Sequence, residues 1–285
     1  MAEAVQTPSQ APAAPSPWLV AATLAWREIV RFFRQRSRVV GAVGQPVLFW
    51  LLFGAGLHRW FRLGGEGLAD QSFLAYYFPG TLVLILLFTA IFATISIIED
   101  RREGFLQSVL VAPIPRWSMV LGKVLGGSLI AMLQGLLFLL LAWTLPIELG
   151  WQGLAGLLGL LFCSAVALTS LGFVLAWRME STQGFHAIMN LALMPMWLLS
   201  GAFFPVPPAQ TGAAWSQLAL HAIMRINPVT YCVAGVRRLL YDESLLAAIW
   251  VPQLATCWIV TIMFALCMFV AACRIARRTS AGDLL

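Results

Sequence analysis

The chain has 285 residues; 60% are hydrophobic and only 11% charged, with twelve Trp and eighteen Phe. A water-soluble domain of that size cannot hide so much apolar surface, so the composition excludes one. The apolar runs are continuous rather than alternating in segments of about ten residues, which excludes a β-barrel, and the formal net charge of +6 reads as arginines held at membrane edges, not as a nucleic-acid signal.

Residues 1–17 are rich in Ala, Pro, Gln and Ser and have no basic n-region. They read as a disordered cytosolic tail rather than a signal peptide. In 18–38, Arg27, Arg31, Arg34 and Arg38 follow at intervals of four, three and four and share one helical face. Trp18, Ala22, Ala25, Ile29, Phe32 and Phe33 spread over the rest. This predicts an amphipathic interfacial helix with its arginines toward water and anionic headgroups. It serves as an anchor, or as an anchor that also braces a partner subunit.

Six apolar runs follow at 39–57, 78–98, 119–145, 154–177, 185–204 and 251–273. Each is near the roughly 20 residues a helix needs to cross a bilayer. The first contains Gly41, Gly44 and Pro46, which predict a kink or close helix packing. A loop at 58–77 carries Arg59, Arg62, Glu66 and Asp70. The third run has Lys123 at its wet end and Gln134 near its middle, and the fifth carries His186 and Asn190. A turn at 146–151 carries Glu148, and the fourth and fifth runs are joined by 178–183. The fold class is therefore an all-α polytopic membrane protein with six transmembrane helices, an N-terminal amphipathic interfacial helix, and outer re-entrant helices between spans five and six.

The second and third runs are joined by 99–116. Glu99, Asp100, Arg101, Arg102 and Glu103 put five charges side by side, which forces this segment into water. After Gly104, residues Phe105, Leu106, Val109 and Leu110 make one apolar stripe on a short helix, with Gln107 and Ser108 between them. Pro113 and Pro115 end it, because proline lacks the N–H and clashes with the preceding turn. A short amphipathic helix pinned between two spans is a docking element that a soluble partner can grip.

The segment 205–250 opens on Pro205, Pro207 and Pro208 and holds two helical pieces. The first, 213–226, is amphipathic. The second starts with Asn227 as N-cap and Pro228 at the first helical position. It is too polar to span, with Arg237 and Arg238 inside it, and too apolar to float free. Both pieces are placed in the outer interface, partly re-entrant and packed on the bundle. A basic tail with Arg274, Arg277 and Arg278 follows the last span.

With six spans both termini share a side. That side collects thirteen of the Lys and Arg residues against five on the other, which puts both termini and the 99–116 loop in the cytosol. Cys163, Cys257, Cys267 and Cys273 lie in or beside spans and only Cys232 lies outside, so no structural disulfide is expected within one chain. An intermolecular Cys232 bridge is the remaining option. No nucleotide-binding GxxxxGK[ST] run, HExxH, GxSxG or CxxC occurs, and His58, His186 and His221 show no ligand spacing. No span carries an acid or base at its centre, the mark of a proton relay. Gln134 and Asn190 are the strongest mid-span polar groups; they read as interhelical hydrogen-bonding groups or as lining for a substrate path.

The run from Glu99 to Gly104, followed by Leu106-Gln107, Val109 to Pro113, Arg116, Gly122 and Lys123, resembles the cytosolic segment of ABC-2 type transporter permeases. Leu199-Ser200-Gly201-Ala202-Phe203-Phe204-Pro205 is a second matching stretch, and Asn227-Pro228-Val229-Thr230-Tyr231 with Arg237 is a third. The likeness spans about residues 18–278, and the form EDRREGFLQSVLVAPIPRW is most similar to the drug-export and nodulation-factor-export branch. One departure is the Glu99-Asp100-Arg101 opening, where relatives often carry a Glu-Arg-Glu-type run.

The resemblance implies a non-catalytic permease subunit of an exporter in the bacterial cytoplasmic membrane. Two ATP-binding subunits would hydrolyse ATP with Mg, and a second copy of this permease or a close homologue would complete the complex; no cofactor is expected in this chain. Residues 18–278 would form the permease domain and 279–285 a cytosolic tail. Glu99, Asp100, Arg101, Arg102, Glu103, Gly104, Phe105, Leu106, Gln107, Leu110, Pro113 and Arg116 would couple to the ATPase. Phe105, Leu106 and Leu110 would fill its cleft, and Arg101, Arg102 and Glu103 would make rim ion pairs. The second and fifth spans would meet the other permease. Phe203, Phe204, Pro205, Asn227, Pro228, Tyr231 and Arg237 would form an outer gate. The substrate class implied is a small amphiphile, with a polysaccharide or lipid-linked glycan as alternative. An ATP-independent secondary transporter, or an intramembrane enzyme, is the reading from a different class.

Overall fold

The computed structural model describes residues 16–56, 73–145, 147, 150–207, 214–242, 246 and 249–277. Expectations for the N-terminal tail, most of the 58–77 loop, Glu148, Pro208 and the tail from Arg278 lie outside the described residues. Among those described there is no strand. Five helices are long and apolar enough to cross a membrane, or six if one bent pair counts as a single span.

Helix α1 covers Pro17–Arg34 and α2 covers Arg36–Gly56. They are the bent pair, at 68° to each other. Helix α3, Phe73–Arg102, has 30 residues and is therefore about 45 Å long. That exceeds a hydrocarbon core of about 30 Å, so its charged end projects beyond the bilayer. The short α4, Phe105–Val111, follows, then α5, Arg116–Leu139, which tightens into a 3-10 turn at Leu140–Thr144. Helix α6 is Trp151–Trp177 and α7 is Thr182–Trp197. A π turn at Leu198–Ala202 breaks the end of α7. Helices α8, Trp215–Ile226, and α9, Pro228–Leu240, precede the last span, α10, Leu254–Arg277.

Helix α3 is the axis of the bundle. It packs against α2, α5, α6, α7 and α9, and almost all of it is buried. Only Phe88, Phe92 and Glu99 show between Phe78 and Asp100. Hydrocarbon supplies no hydrophobic drive between helices, so close backbone approach carries the packing. Gly122 and Gly126 let α5 ride against α1: a Cβ on Gly122 would lie 2.7 Å from the Ala21 carbonyl oxygen, and one on Gly126 would lie 2.8 Å from the Glu28 Cβ. Apolar residues face outward on the rim, among them Leu133 and Leu137 of α5 and Ile259 and Met263 of α10.

Helix α1 is amphipathic, as expected, but its arginine face is used differently. Ala21, Leu24, Ala25 and Phe32 are buried, whereas Trp18, Trp26 and Phe33 point outward. Arg27 and Arg31 do not simply face water; they turn toward the end of α3. Helix α9 is buried on most sides, consistent with an amphipathic segment folded back into the bundle. Its first residues lie level with Leu199 and Thr261, and its last meet Ala75 and Pro252 near the ends of α3 and α10. Cys232 is fully buried against Thr261 of α10, so the intermolecular bridge considered for it is corrected: the thiol is enclosed within its own chain.

Candidate functional site

At the basic end, three cations of α1 and α5 meet four carboxylates. Asp100 is completely buried and accepts from all three. Arg27 grips it with both terminal nitrogens, at 2.7 and 3.0 Å. Lys123 Nζ donates to Asp100 Oδ2 at 2.5 Å and to Glu28 Oε1 at 2.8 Å. Arg31 donates to Asp100, to Glu99 at 2.9 Å and to Glu103 at 3.2 Å. Burial works against the Arg27 charge, but the hydrogen bond and charge of Asp100 outweigh it and raise the guanidinium pKa further. Charges taken out of water need such pairing, and here each is paired across helices.

The cluster fixes where α4 leaves α3. The Glu103 N–H closes on the Glu99 carbonyl at 2.9 Å, and Gly104 turns the chain at φ 77°, a left-handed conformation glycine adopts without Cβ strain. Phe105 then lies under Arg27, its ring centroid 3.6 Å from the guanidinium carbon. Arg101 donates to the Trp177 and Met179 carbonyls at 2.6 and 3.2 Å, which satisfies the end of α6. Arg102 donates to the Glu180 carbonyl at 3.0 Å. Arg116 opens α5 and is half-buried.

This geometry corrects the roles expected along α4. Leu106 is 2% exposed and belongs to the chain's own core, with Phe105 and Val109 packed beside it. Arg101 is spent on α6 and is not a free rim charge. Leu110 is also partly buried against the core, and Gln107 is half-buried; the exposed positions are Glu103, Ser108, Val111 and Pro113, with Val111 77% exposed. The helical stripe was legible, and it lies against the chain's own bundle, with Leu106 buried and Phe105, Val109 and Leu110 partly so.

The opposite end is built around broken backbone. Gly201 sits in the π turn at φ 75°. Its carbonyl accepts from Arg237 at 3.0 Å and from the Tyr76 hydroxyl at 2.9 Å. Arg237 also donates to the Tyr76 carbonyl at 3.2 Å and stacks over the Tyr76 ring. Asn227 does two things at once. Its Oδ1 accepts from the Val229 N–H, capping α9, and its Nδ2 donates to the Met196 and Leu199 carbonyls freed by the break. Pro228 opens α9 at a position where no N–H is needed. Tyr231 donates to the Arg225 carbonyl at 2.9 Å and so ties α9 to α8. Phe203 packs edge-on to Phe53, Phe73 and Tyr77, while Phe204 and Pro205 stay half-buried beside it.

The two mid-span amides separate. Gln134 is 1% exposed and accepts from Thr89 at 2.5 Å, a bond between α3 and α5 inside the bundle; this corrects its place on a substrate path. Asn190 is exposed on α7, on the same side as His186, whose ring meets Phe92. Phe92 in turn lies beside Gly41 of α2. An aromatic and polar face therefore runs across α2, the visible part of α3, and α7. The second span shows only Phe88 and Phe92 on that face, because its other residues there are buried within the chain.

Sequence reasoning missed Glu28, Arg27, Arg31 and Lys123 as one assembly. The available signal was an acid set inside an arginine-rich helix, a residue that a plain membrane anchor does not need.

Comparison with known proteins places the chain in a family. The family model described as ABC-2 type transporter matches residues 20–241. A putative transport permease, ycf38, of Cyanophora paradoxa is 25% identical over 221 residues, covering 76% of this chain and 72% of that protein. Nodulation protein J of Rhizobium leguminosarum bv. viciae is 27% identical over 213 residues, 72% of this chain and 77% of that protein. The probable multidrug ABC transporter permease YbhR of Escherichia coli K12 is 24% identical over 165 residues, 56% of this chain and 42% of that protein.

Proposed function

The chain belongs to the ABC-2 type transporter family and is a multi-pass membrane transport permease, and from that premise we propose that it exports small amphiphiles using ATP hydrolysed by separate subunits. The basic end with α4 faces the cytosol in this reading, in the bacterial cytoplasmic membrane, with both termini on that side. Two ATP-binding subunits and a second permease complete the complex.

One observation carries the proposal: buried charge pairs join α1, α3 and α5 at the root of α4, while Ser108 and Val111 of α4 itself are exposed. An ATPase gripping those exposed positions moves α3 as a lever, since a paired ionic cluster resists separation. The motion reaches the face formed by α2, Phe88, Phe92, His186 and Asn190, where aromatic rings and an amide suit an amphiphile. Phe203, held between α2 and α3, closes that face at its outer end.

The test is Val111→Asp in the intact complex. Val111 makes no buried contact, so the chain should keep its thermal midpoint while ATPase co-purification and ATP-driven transport fall at least tenfold. Retention of both at wild-type levels overturns the docking role. Orientation is checked separately: a cysteine at Ala214 should react with an impermeant thiol reagent in whole cells, and one at Glu103 should not.

A further inference from the structure

We infer that a groove between α6 and α10 is a binding site for an anionic phospholipid, independent of the coupling and substrate faces. The groove measures about 870 Å³. Its wall is apolar, with Val174 of α6 and Leu266 and Val270 of α10, and its one charged rim holds Arg178, Arg274 and Arg277. Among the described residues, no acidic side chain lines it. Leu266 and Val270 are half exposed, so the groove is open on its side toward lipid.

Two features commit it to a phospholipid. From Leu266 to Arg277 the helix rises about 17 Å, close to one hydrocarbon leaflet of about 15 Å. A single acyl chain therefore reaches from the rim to the groove's inner end. The three arginines have no hydrogen-bond or ion-pair partner among the described residues, unlike Arg27, Arg31 and Arg101 at the same end of the bundle. Guanidinium forks match phosphate oxygens, and basic recesses between helices at this membrane depth suit anionic headgroups. A soluble acidic protein could use the charges but not the apolar wall below them.

The experiment titrates the delipidated full-length chain with phosphatidylglycerol or phosphatidylcholine and reads bound lipid by native mass spectrometry. Phosphatidylglycerol should be retained preferentially. Each arginine near an anionic group is worth about a fivefold gain, so the combined Arg178→Gln, Arg274→Gln, Arg277→Gln variant should bind it about a hundredfold more weakly. Arg274→Gln alone should lose about fivefold, which keeps the test available where the triple variant does not accumulate. Leu266→Trp, with every arginine in place, should also weaken binding by filling the acyl wall. The inference is overturned if phosphatidylcholine binds as well as phosphatidylglycerol, or if the arginine variants bind phosphatidylglycerol like the wild type. It is equally overturned if Leu266→Trp has no effect, or if the variants lose only an associated protein while their lipid adducts persist.

Discussion

The two ends of the bundle are tied in different ways. At the basic end side chains bind side chains: Arg27, Arg31 and Lys123 converge on Asp100 and join α1, α5 and α3. At the other end side chains bind backbone: Arg237, Tyr76 and Asn227 attend to carbonyls around Gly201 and Leu199. The first arrangement adds charge pairs to helices that also meet through small residues and large apolar side chains such as Trp18 with Trp117 and Phe78 with Phe138. The second stabilises a helix interruption, which is tolerated at membrane depth only where the freed groups find partners. A stiff lever at one end and a supported break at the other is the arrangement an exporter needs if force enters at α4 and an opening forms near Phe203.

The contrast breaks most sharply at Asp100. Asp100→Ala leaves Lys123 buried with one carboxylate fewer and removes the shared acceptor of both arginines. Stranding buried charge in this way costs about 3–5 kcal/mol. The expected result is a large fall in the detergent-solubilised thermal midpoint. Replacing Asp100, Lys123, Arg27 and Glu28 together by apolar residues of similar volume should recover much of that loss, because the desolvation penalty disappears with the charges. Recovery of stability without recovery of transport would separate the lever role from simple packing.

Arg237→Met is the matching change at the other end. It removes a buried cation that donates to two carbonyls and stacks over Tyr76. The loss should be about 3 kcal/mol, from hydrogen bonds that carry charge. Arg237→Lys should recover only part of it, since an ammonium cannot present the same planar fork.

Gly201→Ala probes the break itself with no change of charge. At φ 75° an added Cβ costs about 1–2 kcal/mol. The same substitution at Gly56, where a Cβ would meet nothing within 4 Å, should be neutral or stabilising. Equal effects at the two glycines would mean that the left-handed turn is not what holds the break.

Much of this organisation was legible in the sequence, for identifiable reasons. Apolar length marks the spans, and Gly104 with Pro113 and Pro115 brackets α4. Asn227-Pro228 marks the start of α9 through the chemistry of helix caps. What was not legible depends on contacts between distant positions. Arg27 and Asp100 are 73 positions apart, and nothing in the periodicity of either helix says they meet. The stripe on α4 could face a partner or the chain's own bundle, and only the packing decides that Leu106 turns inward and Val111 is left outside. The π turn hides because Leu198–Ala202 continues the apolar run of α7 without a charge or a proline; a single Gly201 is a weak hint of a break.

The smallest expected effect tests whether backbone repair extends beyond the break. Pro79 lies inside α3 and has no N–H to give the carbonyl four residues earlier, which belongs to Ala75. The Tyr241 hydroxyl donates to that carbonyl at 2.8 Å, from just past the end of α9. Tyr241→Phe deletes the donor and keeps the ring, so the cost is that of one hydrogen bond, about 1 kcal/mol. Pairing it with Pro79→Ala restores an N–H to the helix, and the Tyr241→Phe cost should then shrink. If the cost is the same with Pro79 or Ala at that position, Tyr241 serves α9 packing instead, and support of interrupted backbone ends with Arg237 and Asn227.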